Sequence, residues 1–180
     1  NCLNSILNQN FKSFEIIIFA NASIDNTNNI IKNFNNNRIK YFYSEIKLSL
    51  YRARSEAIKK SSGTLIAFLD VDDWWDKDYL SSREEEFNNT DYDIFYNNVF
   101  IFYEKDKSIK KYKDYNLPSG KIYNSLVKDY FIVISGLIIR KEVFNKIGKF
   151  NSNFNIIGDF DFVMKASRKF NFHALNKPLS

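Results

Sequence analysis

The segment from Thr64 to Trp75, TLIAFLDVDDWW, guides the interpretation of the whole sequence. It begins as a continuous apolar run, which is typical of a strand buried on both faces of a sheet. Three carboxylates follow the run, Asp70, Asp72 and Asp73. Ligands of open α/β sheets bind beyond the carboxyl ends of the strands, and the segment therefore predicts an acidic ligand site at that edge.

These three carboxylates repel one another, which favours a cation among them. A hard divalent ion, Mg²⁺ or Mn²⁺, held by one or two carboxylates and completed by substrate phosphates, suits such a turn. The alternative is a solvated acidic turn that precedes the next helix. The position directly after a buried strand, beside Trp74 and Trp75, favours the metal site.

The rest of the chain alternates between strand and helix patterns. A second apolar strand, FEIIIFA, lies at residues 14–20, and helices are predicted at residues 27–34 and 48–60. Alternation at this short spacing predicts an α/β fold with a mainly parallel sheet flanked by helices. The later predicted elements are a helix at 78–87, a hairpin of strands at 92–103 and 108–115, a strand at 132–140, a helix at 161–170 and a strand from 172.

Two further polar segments adjoin predicted elements. FANASIDNT, residues 19–27, ends the first apolar strand, and its short polar side chains could bind a base or a ribose edge. Alone, it also suits any turn into a helix. IIGDFDFVMKAS, residues 156–167, places Asp159 and Asp161 near the start of a helix. A carboxylate there is either a helix cap or a general base that takes a proton from an attacking hydroxyl.

Composition narrows the class of protein. The 180 residues fit one domain, and 26 basic against 21 acidic residues give a net charge of +5, too mild and scattered for nucleic-acid binding. The densest basic group, Lys105 to Lys113, favours a solvated loop over a phosphate or anionic-lipid contact. The single Cys2 indicates a reducing compartment. Neither a signal peptide nor a spanning run of about 20 apolar residues is visible in the sequence.

Taken together, these segments resemble the family-2 glycosyltransferases of the GT-A fold over essentially the whole chain. Members look like a buried strand followed by V-D-D-G-S-x-D or W-D-N-A-S-x-D, then an A-R-N helix and F-L-D-x-D-D-x-W. The corresponding stretches here are FANASID, Ala53-Arg54-Ser55 and FLDVDDWW. A later family-like segment, SGLIIRKEVFNKIGKF at residues 135–150, precedes Gly158-Asp159.

The resemblance implies roles for six residues. Asn21, Arg54, Asp70 and Asp72 would contact the nucleotide-sugar donor, Asp73 together with Asp72 would bind Mg²⁺ or Mn²⁺, and Asp159 would be the catalytic base. The implied mechanism is a single inverting displacement, with the acceptor hydroxyl attacking the anomeric carbon opposite the diphosphate. Residues 1–180 would form one catalytic domain that is truncated at both ends, lacking the family's first strand and its C-terminal end, with a nucleotide-binding half at 1–90 and an acceptor-binding half at 91–180.

The implied function is sugar transfer from a nucleotide-diphosphate donor, expected to be a UDP-sugar, to a glycan or lipid-linked acceptor in cell-surface polysaccharide or glycan synthesis. Such an enzyme is expected in the cytoplasm, or at the inner face of the cell membrane if it associates peripherally. Two alternatives stay open. One is a catalytically degenerate module that binds a nucleotide sugar, favoured by Ala20 in place of a family Asp. The other is a sugar-phosphate nucleotidyltransferase, whose Gly-rich phosphate loop is not found in this sequence.

Two other departures from the family pattern affect the expected structure. Gly158 stands where the family has the Glu of a Glu-Asp pair. The family also begins with a strand like V-S-I-I-I-P-x-Y-N, whereas the chain starts at the helix that follows it, with Asn1-Cys2-Leu3. With the family's sheet order, the strands at 14–20 and 64–69 would flank an empty central position and expose unpaired backbone groups.

Overall fold

The computed structural model describes residues 1–88 and 91–180. The helices are α1 (Cys2–Leu7), α2 (Thr27–Asn33), α3 (Leu50–Lys60), α4 (Glu84–Phe87), α5 (Tyr123–Lys128), α6 (Lys141–Ile147) and α7 (Gly158–Ser167). The strands are β1 (Ile16–Asn21), β2 (Ile39–Ser44), β3 (Leu65–Ala67), β4 (Ile94–Asn97), β5 (Phe100–Tyr103), β6 (Ser108–Lys111), β7 (Leu137–Arg140) and β8 (Phe172–Leu175). The predicted α/β fold class is confirmed. The predicted boundary between the halves, at residues 90 and 91, adjoins Asn89 and Thr90, which lie outside the described residues.

The strands form three ladders in the described part of the chain. β1 pairs with β2, β5 pairs with β6, and a four-stranded sheet has the order β3-β7-β4-β8. The sheet is mixed where a mainly parallel one was expected: β1–β2 and β4–β8 are parallel, and the other pairs are antiparallel. The chain between β4 and β7 forms a hairpin and a short helix and does not cross back to the starting edge, so β7 runs against both neighbours.

β1 and β3 begin side by side, but they do not pair. Glu15, just before β1, accepts hydrogen bonds from the backbone N–H of Ser62 (2.5 Å) and of Gly63 (3.0 Å), just before β3. Burial alone would raise the pKa of Glu15, but these bonds and one from Lys40 lower it to about 2. Among the described residues β1 pairs only with β2 and β3 only with β7, which agrees with the expected open position between them.

The expectation that both strands are buried on two faces is wrong. In β1 only Ile16 and Ala20 are fully buried, and in β3 only Ile66 is. The side chains of Ile16 and Ala20 share one face because side chains alternate along a strand. α3 packs against β1, but each strand has only one strand neighbour, and the intervening residues therefore stay half-buried.

Two other predicted elements are interrupted. The helix expected at residues 78–87 is a single 3₁₀ turn, Ser81–Arg83, followed by α4. The aromatic strand expected at 92–103 divides into β4 and β5 at Asn98, whose buried carboxamide accepts from the N–H of Val99 (3.0 Å) and donates to the carbonyl of Lys113 (2.7 Å). These bonds turn the chain out of the four-stranded sheet and into the β5–β6 hairpin.

The core has one apolar cluster on each face of the four-stranded sheet. On β7, Leu137 and Ile139 join the cluster beneath α3, α6 and α7, while Ile138 points into a second cluster with Phe95 and Trp75. The strict alternation follows from the period of two along a strand. Within the described residues, no helix has the length and apolar character needed to span a bilayer.

The unpaired edges of β1 and β3 support a stability prediction. Joining a strand-forming segment such as VSIIIP ahead of Asn1 should raise the melting temperature, because it would supply backbone partners and apolar cover to both strands. Differential scanning calorimetry measures the shift, and hydrogen exchange should show new protection at Ile17 and Leu65. A segment of equal length made of Gly and Ser is the control. An equal shift with both segments would contradict the prediction.

Candidate functional site

The acidic turn directly follows β3 and is tied to α3. The guanidinium of Arg54 donates through Nη2 to both carboxylate oxygens of Asp70, at 2.5 and 2.8 Å. The Arg54 side chain is 11% exposed and that of Asp70 is 43% exposed, so the pair lies at the boundary between core and solvent. Asp70 also accepts the N–H of Asp73 at its backbone carbonyl (3.1 Å), which closes the turn.

The next two acids differ in their surroundings. Asp72 is exposed, whereas Asp73 is half-buried and accepts a short hydrogen bond at Oδ2 from the hydroxyl of Ser135. The backbone carbonyl of Ser135 accepts from the indole N–H of Trp75 at 2.7 Å. Trp75 stacks on Tyr79 with 4.2 Å between ring centroids. A packed aromatic layer and the chain leading into β7 therefore hold Asp73 in place.

These carboxylates fit a hard divalent ion whose coordination is completed by phosphates. Burial raises the pKa of the Cys2 thiol, the charge of the N-terminus lowers it, and the charges of Asp73, Asp70 and Asp72 raise it further. All three carboxylates thus act on the same residue. In the part of the chain that the structure describes, no three Asp, Glu, His or Cys side chains are placed to hold a metal ion by themselves. Mg²⁺ needs only one or two protein carboxylates when substrate phosphates supply the rest.

Asn21, the last residue of β1, forms hydrogen bonds to the loop that precedes α3. Its carboxamide Nδ2 donates to the carbonyl of Leu48 (2.9 Å), and its Oδ1 accepts from the N–H of the same residue (2.8 Å). This two-bond clamp fixes the loop before α3. One amide proton and one lone pair remain for the predicted contact with a nucleotide base.

Asp159 lies in the first turn of α7, which begins at Gly158 and thus earlier than predicted. Its Oδ1 accepts a hydrogen bond from the hydroxyl of Tyr51 on α3 at 2.8 Å. Its neighbour Asp161 pairs with Lys165 one turn along the same helix, at 2.7 Å. The two carboxylates of this segment thus differ, since Asp161 pairs within α7 and Asp159 contacts another helix.

One turn of α3 therefore contacts both predicted regions of the site. Tyr51 contacts Asp159, and Arg54, three residues further along, contacts Asp70. Residues three apart lie on the same face of a helix, with a rise of about 4.5 Å between them. The structure therefore brings the acidic turn after β3 and the acid at the start of α7 to the same helix face.

Several residues at the site were not predicted from the sequence. Tyr51 and Ser135 have no distinguishing local pattern, since each acts across a large sequence separation. Burial raises the pKa of Tyr130, and the charge of Asp159 raises it further, which indicates that Tyr130 also lies near Asp159. Trp74, which is 45% exposed, meets Phe102 of β5 edge to face at 6.0 Å. Of these four residues, only Trp74 could have been identified from the sequence, because it is an apolar side chain within an acidic turn.

His173 lies on β8, at the edge of the four-stranded sheet opposite β3. Its ring lies 4.7 Å from that of Tyr92, and its Nδ1 lies 3.1 Å from Oε2 of Glu86. The residue thus packs beside Tyr92 and Glu86, whereas the acidic turn follows β3 at the other edge of the four-stranded sheet.

Solved structures with the same fold cover almost the whole chain. Staphylococcus aureus TarS 1-349 in complex with UDP matches with a TM-score of 0.78 at 21% identity, over 99% of this chain and 54% of that one. The mannosyltransferase PcManGT from Pyrobaculum calidifontis, in complex with GDP-Man and Mn²⁺, matches with a TM-score of 0.65 at 13% identity, over 98% and 49%. Both are glycosyltransferases of the GT-A fold, and the predicted fold is confirmed.

Sequence relatives agree with the fold. Glycosyltransferase GlyA of Streptococcus pneumoniae is 32% identical over 72% of this chain and 17% of its own length. The UDP-Glc:alpha-D-GlcNAc-diphosphoundecaprenol beta-1,3-glucosyltransferase WfgD of Escherichia coli is 27% identical, over 79% and 55%. The chain thus spans about half or less of the length of these relatives. The family model of glycosyl transferase family 2 matches residues 1–148, and the chain belongs to that family.

Proposed function

We propose that the chain transfers a sugar from a nucleotide-diphosphate donor, a UDP-sugar in the first instance, to an acceptor hydroxyl with inversion of configuration. The observation that carries the proposal is the shared face of α3, which contacts Asp70 through Arg54 and Asp159 through Tyr51. Sugar transfer needs a group that binds the diphosphate and a base for the acceptor within one sugar's reach of each other. Two acids that are both contacted from one turn of α3 support such an arrangement.

In the proposed reaction Asp159 takes the proton of the acceptor hydroxyl. An electron pair of the deprotonated acceptor oxygen forms a bond to the anomeric carbon, and the bond from that carbon to the diphosphate oxygen breaks. The nucleoside diphosphate leaves with the bonding electrons, and the acid form of Asp159 retains the proton. Attack from the face opposite the leaving group inverts the anomeric centre, through a transition state that resembles an oxocarbenium ion.

Asp72 and Asp73 are the residues that would hold a divalent ion, Mg²⁺ or Mn²⁺. Asp72 is exposed, and Asp73 has one oxygen bonded by Ser135 and the other available. When bound, such an ion offsets the charge that grows on the departing diphosphate. The Mn²⁺ named with the mannosyltransferase PcManGT supports a divalent ion in this proposal.

The donor side of the site comprises Asn21, Arg54, Asp70 and Asp72. In the free chain Arg54 is neutralised by Asp70, and its remaining guanidinium N–H groups are the natural partners for phosphate oxygens. Asn21 lies at the end of β1, where the base would stack against the loop before α3. The UDP complex of TarS and the UDP-Glc donor named for WfgD support a uridine nucleotide.

The acceptor side belongs to residues 91–180 in this proposal, and the donor side to 1–90. Asp159, Tyr130 and the β5–β6 hairpin all lie in the second half, and the exposed Trp74 and Phe102 face solvent near the acidic turn. Aromatic faces stack on apolar sugar faces. We assign a glycan or a lipid-linked sugar as acceptor, in polysaccharide synthesis at the inner face of the membrane, following the diphosphoundecaprenol acceptor named for WfgD.

A binding module without turnover is the second candidate. Two features favour it: the amide of Asn21 is partly occupied by Leu48, and the buried Ala20, only 5% exposed, stands where the family has an acid. Such a module would still bind a nucleotide diphosphate but would neither transfer nor hydrolyse a donor sugar. Family membership disfavours the nucleotidyltransferase alternative.

A thermal-shift series tests donor binding. With Mn²⁺ present, UDP at a hundredfold excess over Kd should stabilise the protein by about 2.7 kcal/mol, because a ligand of the folded state alone shifts unfolding by RT ln(1 + [L]/Kd). Mn²⁺ without nucleotide, UDP with EDTA, and GDP with Mn²⁺ are the comparisons. UDP-sugar turnover on the same samples then separates an enzyme from a binding module. No shift with any nucleotide would contradict both candidates.

A further inference from the structure

We propose that Tyr51 is the positioning residue for Asp159 and that its hydroxyl holds this carboxylate in both of its protonation states. The inference rests on the proposed function, since it concerns the base of that reaction. Tyr51 is 1% exposed, and its hydroxyl lies between two oxygens of the α7 region. These are Oδ1 of Asp159, at 2.8 Å, and the backbone carbonyl of Ile156, at 2.5 Å.

The tyrosine hydroxyl has one proton for these two acceptors, which makes its orientation depend on Asp159. While Asp159 is ionised, the hydroxyl donates to the carboxylate, and a hydrogen bond to a charged acceptor is the stronger of the two. After Asp159 takes a proton, its acid group donates to the Tyr51 oxygen, and the Tyr51 proton turns to the carbonyl of Ile156. Oδ1 thus keeps a partner before and after the proton transfer.

The environment of Tyr51 keeps it in its donor form. Burial raises the pKa of its phenol, and the hydrogen bond with Asp159 raises it further. The hydroxyl is therefore protonated throughout the pH range in which enzymes operate. The ring packs against Phe150 with 5.7 Å between centroids, which leaves the hydroxyl little freedom to move away from α7.

Gly158 shows that Tyr51 and the start of α7 are matched. A Cβ atom added to Gly158 would meet Cδ2 of the Tyr51 ring at 2.5 Å, closer than side chains approach in real structures. The ring therefore occupies the space that a side chain at position 158 would need. Gly-Asp stands here where the family pattern has Glu-Asp, and the Tyr51 ring fills the space that a Glu side chain would need.

Tyr51→Phe tests the role of the hydroxyl while it leaves the ring packing in place. We expect kcat to fall by about 10- to 100-fold, the scale of a misplaced reacting group, with the donor KM little changed. The loss should appear in kcat at saturating donor and acceptor, because the variant removes only the hydroxyl that orients the carboxylate. A merely structural tyrosine would lower the melting temperature and leave kcat near that of the parent chain.

Tyr96→Phe is the matched control, because Tyr96 is equally buried and its hydroxyl donates to the backbone carbonyl of Pro118 instead of a carboxylate. It should lower the melting temperature without lowering kcat. Gly158→Ala provides a second variant, which should reduce kcat with an unchanged donor KM because it pushes the Tyr51 ring away from Asp159. A kcat of Tyr51→Phe equal to that of the parent chain would overturn the inference.

The double variant Tyr51→Phe with Asp159→Asn separates this inference from the proposed function. If Tyr51 acts through Asp159, adding Tyr51→Phe to Asp159→Asn should cause no further loss of kcat. If Asp159→Asn alone retains full activity, the proposed base is wrong. If Asp159→Asn is inactive and Tyr51→Phe is as active as the parent chain, the proposed function stands and the positioning role of Tyr51 fails.

Discussion

Asp159→Asn is expected to reduce turnover by about 10²–10⁴-fold, the usual contribution of a general base. The amide has nearly the same shape as the carboxylate, and its oxygen can still accept the hydroxyl proton of Tyr51. It has no basic oxygen that could take a proton from the acceptor. Donor affinity should change little, because Arg54, Asp70 and the acidic turn are untouched. Steady-state kinetics with saturating donor, together with calorimetry of UDP binding, measure the two effects separately.

Asp161→Asn provides the control for this prediction. Asp161 lies two residues further along α7 and pairs within the helix with Lys165, whose side chain is 54% exposed. The same chemical change there should leave kcat nearly at the level of the parent chain. Near-full activity of Asp159→Asn, or equal losses in both variants, would remove Asp159 from the mechanism.

Asp73→Asn should abolish most of the metal-dependent activity. A metal ligand that stabilises the departing diphosphate by about 3 kcal/mol accounts for about 10²-fold in rate. The amide can still accept the hydrogen bond from Ser135, so we expect the turn to keep its shape while it loses a charge. The expected signature is weaker UDP binding in the presence of Mn²⁺ and unchanged UDP binding in EDTA, both measured by calorimetry.

Asp76→Asn is the matched variant for the acidic turn. Asp76 is exposed, and its carboxylate accepts the N–H of Asp78 instead of facing the other acids. It removes the same charge from the same segment, and the Mn²⁺ dependence of UDP binding should stay as in the parent chain. An Mn²⁺ dependence that persists in Asp73→Asn would exclude this residue as a ligand and leave Asp72 as the candidate.

The sequence predicts the fold class because the signals of its elements are local. Continuous apolar runs mark the strands before Asn21 and Asp70, and the Asp70–Asp73 cluster follows directly from one of them. Strand direction is different, because it depends on where a connection re-enters the sheet. The antiparallel β7 could not be deduced from its own residues, which are equally apolar in either direction.

The site shows the same division between local and distant information. Asp70, Asp73 and Asp159 stand out as carboxylates at element ends, which is a pattern along the chain. Tyr51 is a buried aromatic in a helix, and nothing in its neighbourhood distinguishes it from a core residue. Its contact with Asp159 spans 108 positions of the chain, and only the packing of α7 on α3 reveals it.

The placement of Tyr51 and Arg54 on one turn of α3 has a consequence for altering the specificity of the protein. A substitution that shifts this helix to fit a different donor moves both side chains as a rigid body. Buried residues on the same helix, Ala53 and Ile58, fix its depth against the core. Engineering of donor choice is therefore best confined to loops outside α3, such as the segment clamped by Asn21, so that the alignment of the base with the anomeric carbon is preserved.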